Sequence, residues 1–196
     1  MIAPHEIPGA GPAAAFAAEL RAKLPVLETA RLVLRAPRIE DFAYYAEIAT
    51  GPKGRFLIED GSRQDAWFDF ANMVGAWLLR GHGLWVVDLK ATGETVGFVV
   101  LGFEPGDHEP ELGYMFRAAF EGEGYASEAS AAARAHGLET LALPGLVSTI
   151  DPDNAASIRL AERLGGLRDM AAEAAHGDRI RVYRHDGKRG DARHDH

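Results

Sequence analysis

The chain predicts one mixed α/β domain with seven strands and four principal helices, and three observations carry that reading. Short stretches of alternating apolar residues are interleaved with longer stretches of helical periodicity along most of the 196 residues. A strand, a glycine-containing turn and an alanine-rich helix follow one another across Glu111–Ala129. The composition, 47% hydrophobic and 26% charged, is that of an ordinary globular domain with a core of its own.

In chain order, residues 1–11 hold prolines and glycines and read as an irregular arm, followed by a short helix near 13–24. Strands are expected near 31–35, 83–89, 94–103, 110–116, 146–150, 167–171 and 179–184. Helices are expected near 38–49, 63–80, 124–140 and 154–164. Ser62 is placed to cap the second of these, with Asp65 completing an imperfect capping box and Gly81 ending the helix. Trp67, Phe68, Phe70, Ala71, Val74, Trp77 and Leu78 recur at helical spacing there. They read as core, or in part as the wall of a binding groove. The tail 185–196 is polar and histidine-rich, so it is expected to be disordered. His185, His194 and His196 read as solvated side chains, with no metal role assigned.

The segment Glu111–Ala129 is the most informative. Leu112, Tyr114 and Phe116 alternate as on a strand with one buried face. Gly122 and Gly124 then open a helix rich in alanine. A glycine turn at a helix start leaves backbone N–H groups free at the positive end of the dipole, which suits a phosphate. Taken alone, Gly-x-Gly is equally a tight turn that redirects the chain. No Gly-Lys-Ser/Thr follows, and the dinucleotide glycine spacing is absent, so two common phosphate loops are excluded.

Glu121-Gly-Glu-Gly-Tyr-Ala126 resembles the pyrophosphate loop of the GNAT N-acetyltransferases, Gln/Arg-x-x-Gly-x-Gly/Ala. The wider segment is similar to the subgroup of ribosomal-protein N-terminal acetyltransferases. Further matches are Leu27–Arg35 to the first strand, Arg38–Phe42 to the first helix, Gly83–Val87 and Gly93–Phe98 to the next strands, and Asn154-x-x-Ser157 opening a later helix. Together they span residues 27–184, leaving 1–26 as an N-terminal arm and 185–196 as a tail.

The resemblance implies a GNAT fold: a twisted, mostly antiparallel central sheet of six to seven strands flanked by about four helices, with the fourth and fifth strands splayed. It implies acetyl transfer from acetyl-coenzyme A to a primary amine, on a small molecule or a protein N-terminus, by direct attack through a tetrahedral intermediate. It also implies that the backbone of Gly122, Gly124, Tyr125 and Ala126, with Glu121 and Glu123 beside it, meets the pyrophosphate. Main-chain groups near Met115, Phe116 and Arg117 would cradle the pantetheine arm, and the Met115 N–H would meet the thioester oxygen. Ser157 is the candidate acid for the departing thiolate, with Asn154 capping its helix. Glu111 is the first candidate base, ahead of Glu109, which strand alternation sets on the same face, and of His108. Arg159 and Arg163, one helical turn apart, are candidates for the adenosine phosphate. For each of these charged residues a solvated surface position is the competing reading.

Three departures from the family pattern stand out: Glu121 where Gln or Arg is usual, Glu123 where a basic residue is common, and Gly166 where an aromatic is usual. Two carboxylates beside a pyrophosphate weaken binding unless they face solvent. They motivate an alternative, a non-catalytic acyl-coenzyme A-binding sensor or interaction module. The net charge of −8 at pH 7 argues against nucleic-acid binding. There is no cysteine, hence no disulfide and no catalytic thiol. No apolar run approaches a membrane span, and no signal-peptide pattern opens the chain, so a cytoplasmic monomer or homodimer is expected.

Overall fold

Two apolar strand segments within 84–102, buried on both faces, form the centre of one eight-stranded sheet. The computed structural model describes residues 2–58, 61–176 and 179–185. Its strands are β1 (Leu27–Glu28), β2 (Leu32–Arg35), β3 (Leu84–Leu89), β4 (Thr95–Gly102), β5 (Glu111–Phe116), β6 (Val147–Ile150), β7 (Leu167–Arg168) and β8 (Arg181–Arg184). They lie in the order β1-β2-β3-β4-β5-β6-β8-β7, and every neighbouring pair is antiparallel except β5 and β6. The helices are α1 (Gly11–Arg21), α2 (Phe42–Ala49), α3 (Arg63–Arg80), α4 (Tyr125–Ala135), α5 (Ala155–Arg163) and α6 (Met170–Ala175).

Both faces of the sheet are covered. On β3, Leu84 and Val86 pack with Phe42, Tyr45, Phe70 and Met73 of α2 and α3, while Trp85 and Val87 pack with Ala129 and Ala133 of α4. A register shift opposite Val87 and Asp88 breaks the alternation of β4. Val96 and Phe98 therefore face opposite sides, although two residues apart they would share a face on a regular strand. The Ser62 cap is as the sequence predicts. Its hydroxyl accepts from the Asp65 N–H at 3.2 Å, and the Asp65 carboxylate accepts from the Ser62 N–H at 2.9 Å. Gly81 ends α3 with a φ of 76°, a conformation that favours glycine.

Four expectations change. The strand predicted at 167–171 stops at Arg168, because the Asp169 carboxylate accepts from the N–H groups of Ala171 and Ala172 and starts α6. The helix predicted to 140 passes into a π-helical segment at His136–Thr140. The pair Leu27–Glu28 adds a strand that brings the sheet to eight. His185, assigned to a disordered tail, is buried instead, and its N–H donates to the Leu146 carbonyl at 2.9 Å. The other tail histidines, His194 and His196, lie outside the described residues. No helix among the described residues is long and apolar enough to cross a membrane.

A largely buried ion network ties β2, β3 and β4 to the turn that leads into α2. Arg35 on β2 donates from Nε to Asp88 at 2.6 Å and from both terminal nitrogens to Asp41 at 2.8 Å. Thr95 donates to the same Asp88 at 2.8 Å. Removing the cation leaves the buried Asp41 and half-buried Asp88 carboxylates without their positive partner. Arg35→Met is expected to cost about 3 kcal/mol. In a chain of this length that lowers Tm by roughly 6–12 °C, as a thermal melt would read.

Candidate active site

The site is built where β5 and β6 part. They share one parallel register pair, Glu111 with Val147, and the Val147 N–H donates to the Pro110 carbonyl. One residue further, a side chain replaces the main-chain ladder: the Ser148 hydroxyl donates to the Leu112 carbonyl at 2.6 Å. Beyond that point the strands diverge, as expected for the fourth and fifth strands of the sequence reading.

Register decides which peptide groups face the gap. The Arg117 N–H donates to Val96 on β4 at 2.9 Å, so alternation sends the N–H groups of Met115 and Gly113 toward β4 as well. Leu112 faces β6, so Tyr114 and Phe116 face it too. The expectation of a free Met115 N–H is therefore corrected by one residue. The Met115 side chain still lines the cleft, but the gap receives the N–H groups of Tyr114 and Phe116.

Two cavities meet in this gap. The larger, about 360 Å3, runs from the gap to the glycine loop and is lined by Phe116, Glu121, Gly122, Gly124, Tyr125, Ala126, Asn154, Ser157, Arg159 and Arg163 among others. Gly122 and Gly124 have φ values of 86° and 80°, so the turn is held in the left-handed region. A Cβ at Gly122 would meet no atom within 4 Å, leaving its backbone open to an approaching anion. The first N–H groups of α4 have no intrahelical acceptor and open onto this cleft. Among its lining side chains, Lys53, Arg159 and Arg163 set three positive charges against the one carboxylate of Glu121. Glu121 is itself neutralised by Lys53, whose ammonium lies 2.6 Å from both its oxygens. These features fit a polyanionic coenzyme with a pyrophosphate at the loop.

The smaller cavity, about 270 Å3, lies on the other side of the gap, and Tyr114, Met115, Asn154 and Ser157 line both. Glu111 lines this second cavity. Its carboxylate accepts from the Thr149 N–H at 2.8 Å and from the Thr149 hydroxyl at 2.5 Å. The residue keeps some solvent-exposed surface, but protein surrounds the carboxylate. Burial raises its pKa to about 7, with the fields of Asp107 and Glu104 adding to the rise and Thr149 opposing it. Across the gap, Asn154 caps α5 by accepting from the Ser157 N–H at 3.2 Å. The Ser157 carbonyl accepts from the Tyr114 hydroxyl at 2.9 Å. Burial raises the Tyr114 pKa, so the phenol stays a neutral donor.

Several predicted residues lie elsewhere. Glu109 is committed to Arg184, accepting from both terminal guanidinium nitrogens, and lines neither cavity. His108 is exposed and also lines neither. Arg117 donates to Glu47 and to the Thr95 carbonyl and lies against the Tyr44 ring, away from the cleft. The Glu123 carboxylate lines no part of the cleft, though its carbonyl accepts from Arg31 at 3.0 Å. Sequence reasoning missed Tyr114 as a brace and missed Asp69, Glu104 and Asp107 in the second cavity. These three come from two distant segments, α3 and the β4–β5 loop, and only a hydrophobic stripe or a turn marks their positions. Among the described residues no group of three or more potential metal ligands gathers.

A mixed sheet parted at one parallel pair, with an anion loop on one side and a carboxylate-lined chamber on the other, defines a coenzyme-dependent acyltransferase. The chain belongs to the GNAT acetyltransferase family: residues 31–166 match the family model described as Acetyltransferase (GNAT) domain, and the family's acetyl donor is acetyl-coenzyme A. It is similar to an acetyltransferase from Agrobacterium tumefaciens, at TM-score 0.77 and 36% identity, over 83% of this chain and 94% of that one. A ribosomal L7/L12 alpha-N-protein acetyltransferase shares the fold, at TM-score 0.61 and 20% identity, over 82% of this chain and 92% of that one. The uncharacterized protein YkkB of Bacillus subtilis is 39% identical over 92 residues, 44% of this chain and 52% of its own length. The chain thus spans about half the length of the curated relatives it matches.

The loop backbone makes a direct prediction. A branched side chain at Gly122 meets a φ that L residues rarely adopt and intrudes on the anion's approach. Gly122→Val is expected to weaken coenzyme A binding by about tenfold or more, measured by calorimetry, with the far-UV spectrum unchanged.

Proposed function

We propose that the protein transfers an acetyl group from acetyl-coenzyme A to a primary amine, with Glu111 as base and Ser157 as acid. The observation that supports this best is that Glu111 lines the second cavity while Ser157 lines both that cavity and the coenzyme cleft it opens into. Acetyl transfer needs a bound thioester, a neutral amine, a donor for the developing oxyanion and a proton for the thiolate. In this reading Glu111 takes a proton from the incoming ammonium, directly or through one water. The amine nitrogen then bonds to the thioester carbon, while the N–H groups of Tyr114 and Phe116 donate to its oxygen. As the carbon–sulfur bond breaks, the Ser157 hydroxyl gives its proton to sulfur and recovers one from the new amide nitrogen. The products are the amide and the free coenzyme thiol.

The binding-module alternative drew on Glu121 and Glu123. The Lys53 ion pair and the outward Glu123 carboxylate remove its electrostatic motive. An amine panel with acetyl-coenzyme A, read by thiol release, tests the reading, and binding without thiol from any amine overturns it.

The base acts as a carboxylate, so its raised pKa sets a sign. Below pH 7 the protonated fraction of Glu111 grows, and kcat/KM is expected to fall about tenfold per pH unit, with a plateau above. Glu111→Gln is expected to lower kcat by about 10²–10⁴-fold and to abolish that inflection. Ser157→Ala is expected to lower kcat by about a hundredfold without moving the inflection, which a pH series of initial rates would check.

A further inference from the structure

The second cavity is open to the reaction centre. It shares Phe56, Leu57, Tyr114, Met115, Asn154 and Ser157 with the coenzyme cleft, so a molecule bound in it reaches the gap. That continuity makes it the acceptor chamber. The chemistry of its walls then selects the occupant.

Those walls carry five carboxylates from four segments: Asp69 of α3, Glu104 and Asp107 of the β4–β5 loop, Glu111 of β5, and Asp151 after β6. Among the described residues that line the chamber there is no Lys, Arg or His. Elsewhere the fold matches its buried and half-buried acids with arginine: Asp41 and Asp88 with Arg35, Glu173 with Arg168 and Arg181, Asp169 with Arg184. Among the described residues none of the five is in an ion pair, and their bonds are to neutral donors. Tyr45 donates its hydroxyl to Asp69 at 2.5 Å, the Glu104 N–H donates to Asp107 at 2.5 Å, and the Asp153 N–H donates to Asp151 at 2.7 Å. Burial raises the pKa of Asp69, and that of Glu104 first by burial and then through the fields of Asp69 and Asp107. Among the described residues no cation offsets the like charge of this group, and a cation entering it relieves that repulsion.

Between the carboxylates the lining is apolar. Phe56, Leu57, Met73 and Val100 offer hydrocarbon contact of the kind a methylene chain makes. A volume of about 270 Å3 accommodates a short chain of carbons with an amine at each end.

We propose that this chamber takes a linear aliphatic diamine or polyamine, with the reacting amine at Glu111 and a second ammonium held by Asp69, Glu104 and Asp107. The proposal rests on the acetyl-transfer reading for the fate of the first amine, and on the chamber alone for the recognition of the second. A monoamine of equal length fills the same apolar space and forgoes the second charge contact. A peptide with a free N-terminus brings backbone amides to walls dominated by carboxylates and hydrocarbon.

The test is calorimetric binding to the full chain with coenzyme A present, which allows no transfer. 1,4-Diaminobutane is expected to bind about tenfold or more tighter than 1-aminobutane, with the advantage shrinking as salt is raised. Glu104→Gln is expected to remove most of that advantage. Asp107→Asn gives a second probe should the first variant fail to fold. Equal affinity for the two amines, or a short peptide with a free α-amino group binding more tightly than the diamine, overturns the proposal. Thiol release from acetyl-coenzyme A with the same compounds separates the two readings. Diamine binding without thiol release removes acetyl transfer and keeps the diamine site. Thiol release without preference for the diamine does the reverse.

Discussion

The parting of β5 from β6 is the constraint on which the site depends. Had their ladder continued past Glu111 and Val147, the N–H groups of Tyr114 and Phe116 would be spent on β6 and the sheet would be closed. Side chains instead take over the work of the main chain. Ser148 satisfies the Leu112 carbonyl, and Tyr114 reaches across to the Ser157 carbonyl at the start of α5. The gap is therefore spanned by two hydroxyls and not by a continuous ladder. That arrangement holds it open while leaving polar groups free for a ligand. Both cavities border this one opening, with Ser157 lining both and Glu111 lining the second.

Charge is then divided across the opening. Lys53, Arg159 and Arg163 border the cleft at the glycine loop, and carboxylates border the second cavity. The net charge of −8 conceals this division. Fields at the scale of a cleft decide binding, since salt screens exposed charges beyond about 8 Å under physiological conditions. An anionic coenzyme meets local cations within an acidic protein, and Glu121 is tolerated at the loop because Lys53 accompanies it.

Much of this was readable in the order of residues. Periodicity located the central strands and helices, because each buries a face in step with its own repeat. The glycine loop and the Asn154 cap are local devices, encoded within a few consecutive residues, and both have the predicted form. The candidate site was less legible where it depends on parity or on distant partners. Strand alternation alone cannot say whether Met115 or its neighbours face the gap. The bond from Arg117 to Val96 settles that, and it joins residues far apart in the chain. Glu109 looked as available as Glu111 until β8 brought Arg184 to it. The carboxylates of the second cavity converge only after α3, the β4–β5 loop and the turn after β6 have packed.

The departure at Gly166 and the burial of His185 are a single feature. A Cβ at residue 166 would lie 2.9 Å from the Ala161 carbonyl oxygen and 3.1 Å from the His185 ring, so no larger residue fits while the imidazole is there. His185 in turn lies with its Nε2 2.9 Å from the Ser148 hydroxyl. That hydroxyl spends its only proton on Leu112, so the bond requires His185 to donate from Nε2. The imidazole thereby fixes the rotamer of the serine that ends the β5–β6 ladder. The small residue at 166 leaves room for the imidazole, and the imidazole supplies a donor to Ser148. The residue that the pattern of the tail assigned to solvent thus reinforces, from behind, the bond at which the sheet opens.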